Sequence, residues 1–211
     1  MDKSSLPTFL YTKRIFERMK ILGRLLKFPS RYIRRLMYIR KFGTFGQHSD
    51  ILSPLRIDGA ENICIGRDVI IQYHTWIAAV PLTNMGSKLI IKDGCTIGNF
   101  NHIYATGEVI LEKDVLTADR VYISDNLHGY EDITIPIHKQ PIKQNNHVTI
   151  GEGSWLGENV CVVGASIGKH CVIGANSVVT KDIPDYSVAV GIPARVIKQY
   201  DFNEKKWVKC E

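Results

Sequence analysis

From residue 65 the chain repeats itself every six residues, and that period constrains its fold more than any other feature. Each unit opens on an aliphatic residue, often followed by Gly, with a small or β-branched residue at the fifth place. The units read IGRDVI (65–70), IQYHTW (71–76), IKDGCT (91–96), IGNFNH (97–102), LEKDVL (111–116) and TADRVY (117–122). They resume as IGEGSW (150–155), LGENVC (156–161), IGKHCV (167–172) and IGANSV (173–178). Self-similarity at a fixed period marks a solenoid. A six-residue unit fits one short strand and a corner, so three units close a triangular coil of about 18 residues. The first place points inward, which predicts core ladders through Ile65, Ile71, Ile91, Ile97, Ile150 and Ile173. The fifth place also points inward near a corner, where small or branched groups fit: Val69, Cys95, Val115, Ser154, Val160, Cys171 and Ser177. Gly at the second place is expected to supply backbone angles that a side chain forbids.

The repeat is interrupted at 79–90 and, at greater length, at 128–147. Loops beyond about 12–15 residues in a compact body are usually functional or disordered. The fold class is therefore mainly β, a parallel β-helix with an N-terminal helical segment. The expected organisation is a basic helical segment over 1–45, a connecting or capping segment over 46–62, the β-helix over 63–185 with a loop at 128–147, and a tail over 186–211.

Charge separates the N-terminal segment from the rest. Residues 1–45 hold 12 Lys/Arg against Asp2 and Glu17, a balance of +10, while the remainder carries 15 against 19, or −4. Helix-like periodicity runs over 8–27 and 31–42, split by Pro29. Ile15, Met19, Leu22 and Leu26 share one face. A basic amphipathic helix can lie on an anionic membrane surface, or it can cap the open end of a solenoid. No recognition motif accompanies the charge, so nucleic acid is not expected. Charges in the first twenty residues disfavour a signal peptide, and no apolar run is long enough to span a bilayer. Five cysteines without a C-x-x-C pair read as reduced thiols in a cytoplasmic protein.

The stretches NFNH (99–102), VYISDNLHGYED (121–132), VTIGEGSWLGENV (148–160) and IGANSVVTKDIPDYSVAVGIPARVIK (173–198) resemble the hexapeptide-repeat acetyltransferases. The likeness is greatest to galactoside, maltose, and capsule or O-antigen O-acetyltransferases, and it spans about Leu89 to Lys198. The resemblance implies a left-handed coil, acetyl-CoA as donor without a required metal, and a homotrimer with active sites between neighbouring prisms. It also implies a saccharide acceptor, either small or lipid-linked. The charged start and the reduced thiols predict a cytoplasmic location, and the basic N-terminus could bring the protein to the inner face of the membrane.

Within that resemblance His128 matches the catalytic base. A sugar hydroxyl is too weakly acidic to attack a thioester unaided, and imidazole ordinarily titrates near 6.5, so it can accept the proton. Some relatives read DHxH where this chain has Asp125-Asn126-Leu127-His128. Asn99 matches an asparagine that hydrogen-bonds the acceptor, and Trp155 a tryptophan lining the cleft. Asn101 reads as structural, and His102 either supports the site or is a solvated corner residue. Ala175 and Thr180 match positions along the pantetheine arm. Lys181, Arg195 and Lys198 match positions near the nucleotide phosphates, which cations neutralise. The galactoside enzymes carry an acidic residue in the stretch that reads YATGEV here, so the acceptor stays open.

Other readings remain. An amine on a nucleotide-linked sugar or the hydroxyl of serine are alternative acceptors. The fold also hosts the zinc-dependent γ-type carbonic anhydrases, and His74, His102 and His128 fall about one coil apart. That family needs a second histidine five residues before the His128 position, where this chain has Ile123. A non-catalytic scaffold is the last alternative.

Overall fold

A computed structural model describes residues 32–82, 86–144 and 147–210. The chain divides into two units, residues 1–40 and 41–211. In the first, residues 32–40 belong to a helix that ends at residue 41. The periodicity at 8–27 lies outside the described residues.

The second unit is a three-sided left-handed β-helix. Its first sheet stacks Thr44–Phe45, Ile63–Ile65, Lys88–Ile91, Glu108–Leu111 and Val148–Ile150. The second stacks Asp50–Ile51, Ile70–Ile71, Thr96–Ile97, Leu116–Thr117, Trp155–Leu156, Val172–Ile173 and Ser187–Val190. The third stacks Arg56–Asp58, Trp76–Ala79, His102–Ala105, Tyr122–Ser124, Cys161–Val163 and Val178–Val179.

The pairing follows the hexad phase. Ile65 pairs with Ile91, Ile91 with Leu111, and Leu111 with Ile150. On the second sheet Ile71, Ile97, Thr117, Leu156 and Ile173 form the rungs, and on the third Ile77, Ile103, Ile123, Val162 and Val179. These first-place residues are buried, as are the fifth-place residues Val69, Cys95, Val115, Ser154, Val160, Cys171 and Ser177. Each aliphatic rung contributes roughly 1.5–3 kcal/mol through burial.

Two features differ from the sequence reading. The ladders begin at Thr44, so the stretch expected to connect or cap contains the first coil, with Asp50 paired to Ile70 and Arg56 to Trp76. That coil lacks the aliphatic-Gly signature, which hid it. The role assigned to the second-place glycines also changes. Within the ten hexads positive φ falls at the fourth place, on Asp68, His74, Phe100, Asp114, Arg120, Asn159, His170 and Asn176, with glycine in that place at Gly94 and Gly153. The second-place glycines instead allow the next coil to approach. A Cβ on Gly98 would stand 2.3 Å from the Ala118 carbonyl oxygen.

Candidate active site

Where the repeat breaks after Ser124, the chain forms an ordered hairpin, not an irregular loop. Strands Asn126–His128 and Ile142–Gln144 pair antiparallel, with His128 opposite Ile142. Gly129 donates its N–H to the Pro141 carbonyl at 2.9 Å, and the Gln140 amide donates to the carbonyls of Asp132 and Ile135. Asp132 accepts from the Thr134 N–H and hydroxyl, which hold its carboxyl below the usual range. Lys143 donates to Glu131 across the hairpin and lowers that carboxyl likewise. His147, on the return leg, sits between Glu108 (2.9 Å) and Thr149 (2.6 Å). The excursion is thus braced within itself and at its return.

His128 is exposed on the outgoing strand, and its imidazole has no hydrogen bond among the described residues. Asn126, where some relatives carry a histidine, is turned onto the stem. Its side-chain amide donates to Ser124 Oγ (2.9 Å) and to Asp125 (3.2 Å).

Asn99 lies at the corner between the second and third sheets, half-buried. Its backbone N–H and its side-chain Nδ2 both donate to Asp119 Oδ1, one coil further on, at 2.8 and 3.1 Å. With the amide N–H group engaged, the Oδ1 of Asn99 is the atom left to accept from a hydroxyl. Asp119 did not stand out in the sequence. Its signal is positional, since it occupies the third place one rung above Asn99. Asn101 is buried and donates to the carbonyls of Ala118 (2.8 Å) and Asn99 (3.3 Å), fixing the corner.

His102 is not a solvated corner residue. It stacks on Trp76 at 4.1 Å, meets Tyr122 edge-on at 5.2 Å, and burial lowers its pKa. His74 stacks on Phe100 in a separate column. Among the described residues no three His, Cys, Asp or Glu are placed to share a metal ion. Trp155 stands on the outer side of the second sheet between Leu116 and Val172, 47% exposed. The five thiols are unpaired. Burial pushes the Cys95 thiol up to about 12 and raises those of Cys161 and Cys171, which makes them poor nucleophiles at neutral pH.

Ala175, Thr180, Lys181, Arg195 and Lys198 are all exposed at the C-terminal end of the coil. Ala175 lies at the corner after Val172–Ile173, and Thr180 and Lys181 follow Val178–Val179. Arg195 and Lys198 lie on Arg195–Asp201, which pairs antiparallel with Ser187–Val190. The segment before Arg195 crosses the end of the third sheet, where Val178 donates to Gly191 and Ala194 donates to Val178. Five residues expected to meet one donor molecule therefore share one end of the helix. His128 and Asn99 do not come together within one chain: Asn99 precedes the third-sheet strand His102–Ala105, and His128 follows Tyr122–Ser124. The length of a sheet face separates them.

A family model described as the hexapeptide repeat of succinyl-transferase matches residues 147–181. The chain is 32% identical over 199 residues to WbbJ of Escherichia coli (strain K12), provisionally described as a lipopolysaccharide biosynthesis O-acetyl transferase. That match covers 90% of this chain and 89% of the relative. It is 30% identical over 186 residues to the galactoside O-acetyltransferase of the same strain, covering 85% and 75%. Among solved structures, the N-acyltransferase AntD of Bacillus cereus, in complex with dTDP and 3-hydroxybutyryl-CoA, superposes with a TM-score of 0.65 at 18% identity. The match covers 80% of this chain and 88% of that one. The acetyltransferase VCA0836 of Vibrio cholerae, complexed with acetyl coenzyme A, gives 0.55 at 23% identity over 81% and 78%. At these identities the structural likeness concerns the fold.

Proposed function

The chain belongs to the hexapeptide-repeat acetyltransferases and uses acetyl-CoA as its co-substrate, and on that premise we propose that it O-acetylates a sugar or polysaccharide-precursor hydroxyl with His128 as general base. The observation carrying this reading is the exposed imidazole of His128, without a hydrogen bond among the described residues and presented on a braced hairpin. His128 takes the proton of the acceptor hydroxyl as its oxygen bonds to the acetyl carbon. Backbone N–H groups hold the developing oxyanion, and CoA leaves as the thiolate, to be protonated by the imidazolium. Ala175 and Thr180 lie along the pantetheine arm, while Lys181, Arg195 and Lys198 neutralise the nucleotide phosphates. Trp155 lines the cleft.

The enzyme works in this reading as a homotrimer. The separation of Asn99 from His128 within one chain supports a site that takes Asn99 from one subunit and His128 from the next. A surface location at the cytoplasmic face of a membrane fits the same substrates. Residues 1–45 carry a balance of +10, and the helix at 32–41 exposes Tyr32, Ile33, Leu36 and Met37. Co-sedimentation with anionic liposomes at low salt, and release as salt rises, is the expected behaviour.

The deciding experiment follows thiol release from acetyl-CoA across mono-, oligo- and lipid-linked saccharides, with serine and nucleotide-linked amino sugars alongside. Release that needs a saccharide hydroxyl supports the reading. Release with serine or an amino sugar alone replaces it.

A further inference from the structure

Asp125 is a fully buried carboxylate that the proposed chemistry does not use. The N–H of Thr106 is shared between its two oxygens at 2.9 and 3.0 Å, and the Thr106 hydroxyl donates to Oδ1 at 2.9 Å. The N–H of Gly107 donates to Oδ2 at 2.6 Å, and Asn126 Nδ2 reaches Oδ1 at 3.2 Å. Burying a carboxylate is costly unless its lone pairs are matched, and here they are matched almost entirely by one corner.

The position of that corner explains why an acidic side chain is buried here. Along the helix, N–H groups of one coil donate to carbonyls of the next, as Val80 does to Ala105 and Gly98 to Thr117. Thr106 and Gly107 form the corner between His102–Ala105 and Glu108–Leu111. Their N–H groups would meet carbonyls of the following corner, but there the chain leaves the coil for the hairpin. The Asp125 side chain replaces the missing carbonyls. Beside it Ser124, also buried, accepts from the Asn126 N–H at 3.2 Å and from its side-chain amide at 2.9 Å. The first residue of the stem is thus held from both sides, and His128 stands two residues along the same strand.

We propose that Asp125 is a positioning residue for acetyl transfer: it pins the hairpin exit to the Thr106–Gly107 corner and so sets where the His128 imidazole sits, without touching either substrate. The proposal rests on His128 being the base. A general base displaced by about 1 Å can lose roughly 10²-fold in rate. Asp125→Asn preserves shape, but its NH2 group cannot accept from Thr106 or Gly107. Thr106→Val removes a single hydroxyl donor and leaves the carboxylate in place.

The test measures kcat, acetyl-CoA KM and CoA affinity for the full-length protein, Asp125→Asn, Thr106→Val, His128→Ala and the Asp125→Asn/His128→Ala pair. Asp125→Asn should lower kcat at least ~10-fold with CoA affinity within about 2-fold, and Thr106→Val should lower it by about 2–5-fold. The double variant should be no slower than His128→Ala alone, because there is no imidazole left to place. Losses that multiply in the double variant, or a Thr106→Val protein and an Asp125→Asn protein with undiminished kcat, overturn the positioning role. If Asp125→Asn does not fold, undiminished kcat in Thr106→Val is sufficient to overturn it. A fully active His128→Ala removes the base assignment and the positioning role together, whereas an inactive His128→Ala beside a fully active Asp125→Asn removes the positioning role alone.

Discussion

The carboxylate of Asp119 grips Asn99 twice, through the backbone N–H at 2.8 Å and through Nδ2 at 3.1 Å, across the step between two coils. A flexible amide is thereby set with its oxygen as the available acceptor atom. Asp119→Ala frees the amide to rotate, and the expected result is a rise of about 5–20-fold in acceptor KM with acetyl-CoA KM unchanged. Steady-state kinetics with the acceptor found by thiol release checks this. An unchanged acceptor KM would dissociate Asn99 from the acceptor.

A shared site makes a prediction about mixtures. Asn99→Ala and His128→Ala proteins should each lose at least ~10² in turnover. Unfolded together and refolded, they should form mixed trimers in which some interfaces pair an intact Asn99 with an intact His128, and part of the activity should return. Mixed trimers confirmed by mass that stay as inactive as their parents would mean that each chain carries its own site.

The glycines divide into two kinds that a stability series can separate. Gly98→Ala drives a methyl into the Ala118 carbonyl and should cost about 1–3 kcal/mol in chemical unfolding. Asn176→Gly, at a fourth-place corner with φ of 60°, should be near neutral because the backbone already holds a glycine-like angle. Equal costs at both sites would contradict the close-approach account.

His102 gives the fold an acid-sensitive contribution. Its folded pKa lies below the ordinary 6.5 because burial among Trp76, Tyr104 and Tyr122 disfavours the imidazolium. The unfolded chain therefore binds the extra proton more readily, so stability is lost as pH falls through about 6.5 and levels off below the folded pKa. His102→Phe keeps a ring in the pile without a titrating group. The difference in urea midpoint between the two proteins should change in favour of the variant as pH drops from 7.5 to 5, and a constant difference would rule the contribution out.

The interior was legible because its code is local. An aliphatic residue opening each hexad announces both the strand and the direction it faces, and Ile65, Ile91 and Ile97 sit where that code puts them. The first coil escapes the same code because Phe45 opens its first hexad and no Gly follows Ile51 or Ile57, although these residues pair with Ile65, Ile71 and Ile77. The residues that take left-handed angles are equally hard to read from the repeat. A Gly at the second place draws the eye, while the angle it suggests is adopted two residues later by residues as varied as Asp114 and Phe100. Of the candidate site, the resemblance supplied His128, Asn99 and the donor residues one by one. What holds them, Asp119 one rung above Asn99 and Asp125 at the hairpin exit, depends on contacts 18 to 20 residues apart that no motif records.

The last strands settle a different matter, the tendency of such a stack to grow. A parallel coil ends in open ladders that could accept another coil, whether from its own chain or a neighbour's. Here Arg195–Asp201 and Lys206–Lys209 turn antiparallel against the second sheet, and Gly191–Ala194 crosses the end of the third. An incoming coil of parallel strands finds these two ladders closed, with the chain reversed in direction and lysines along the outermost strand. The strand that carries Arg195 and Lys198 thus also discourages end-to-end fibres, because it turns the last open edge of the second sheet into an antiparallel one.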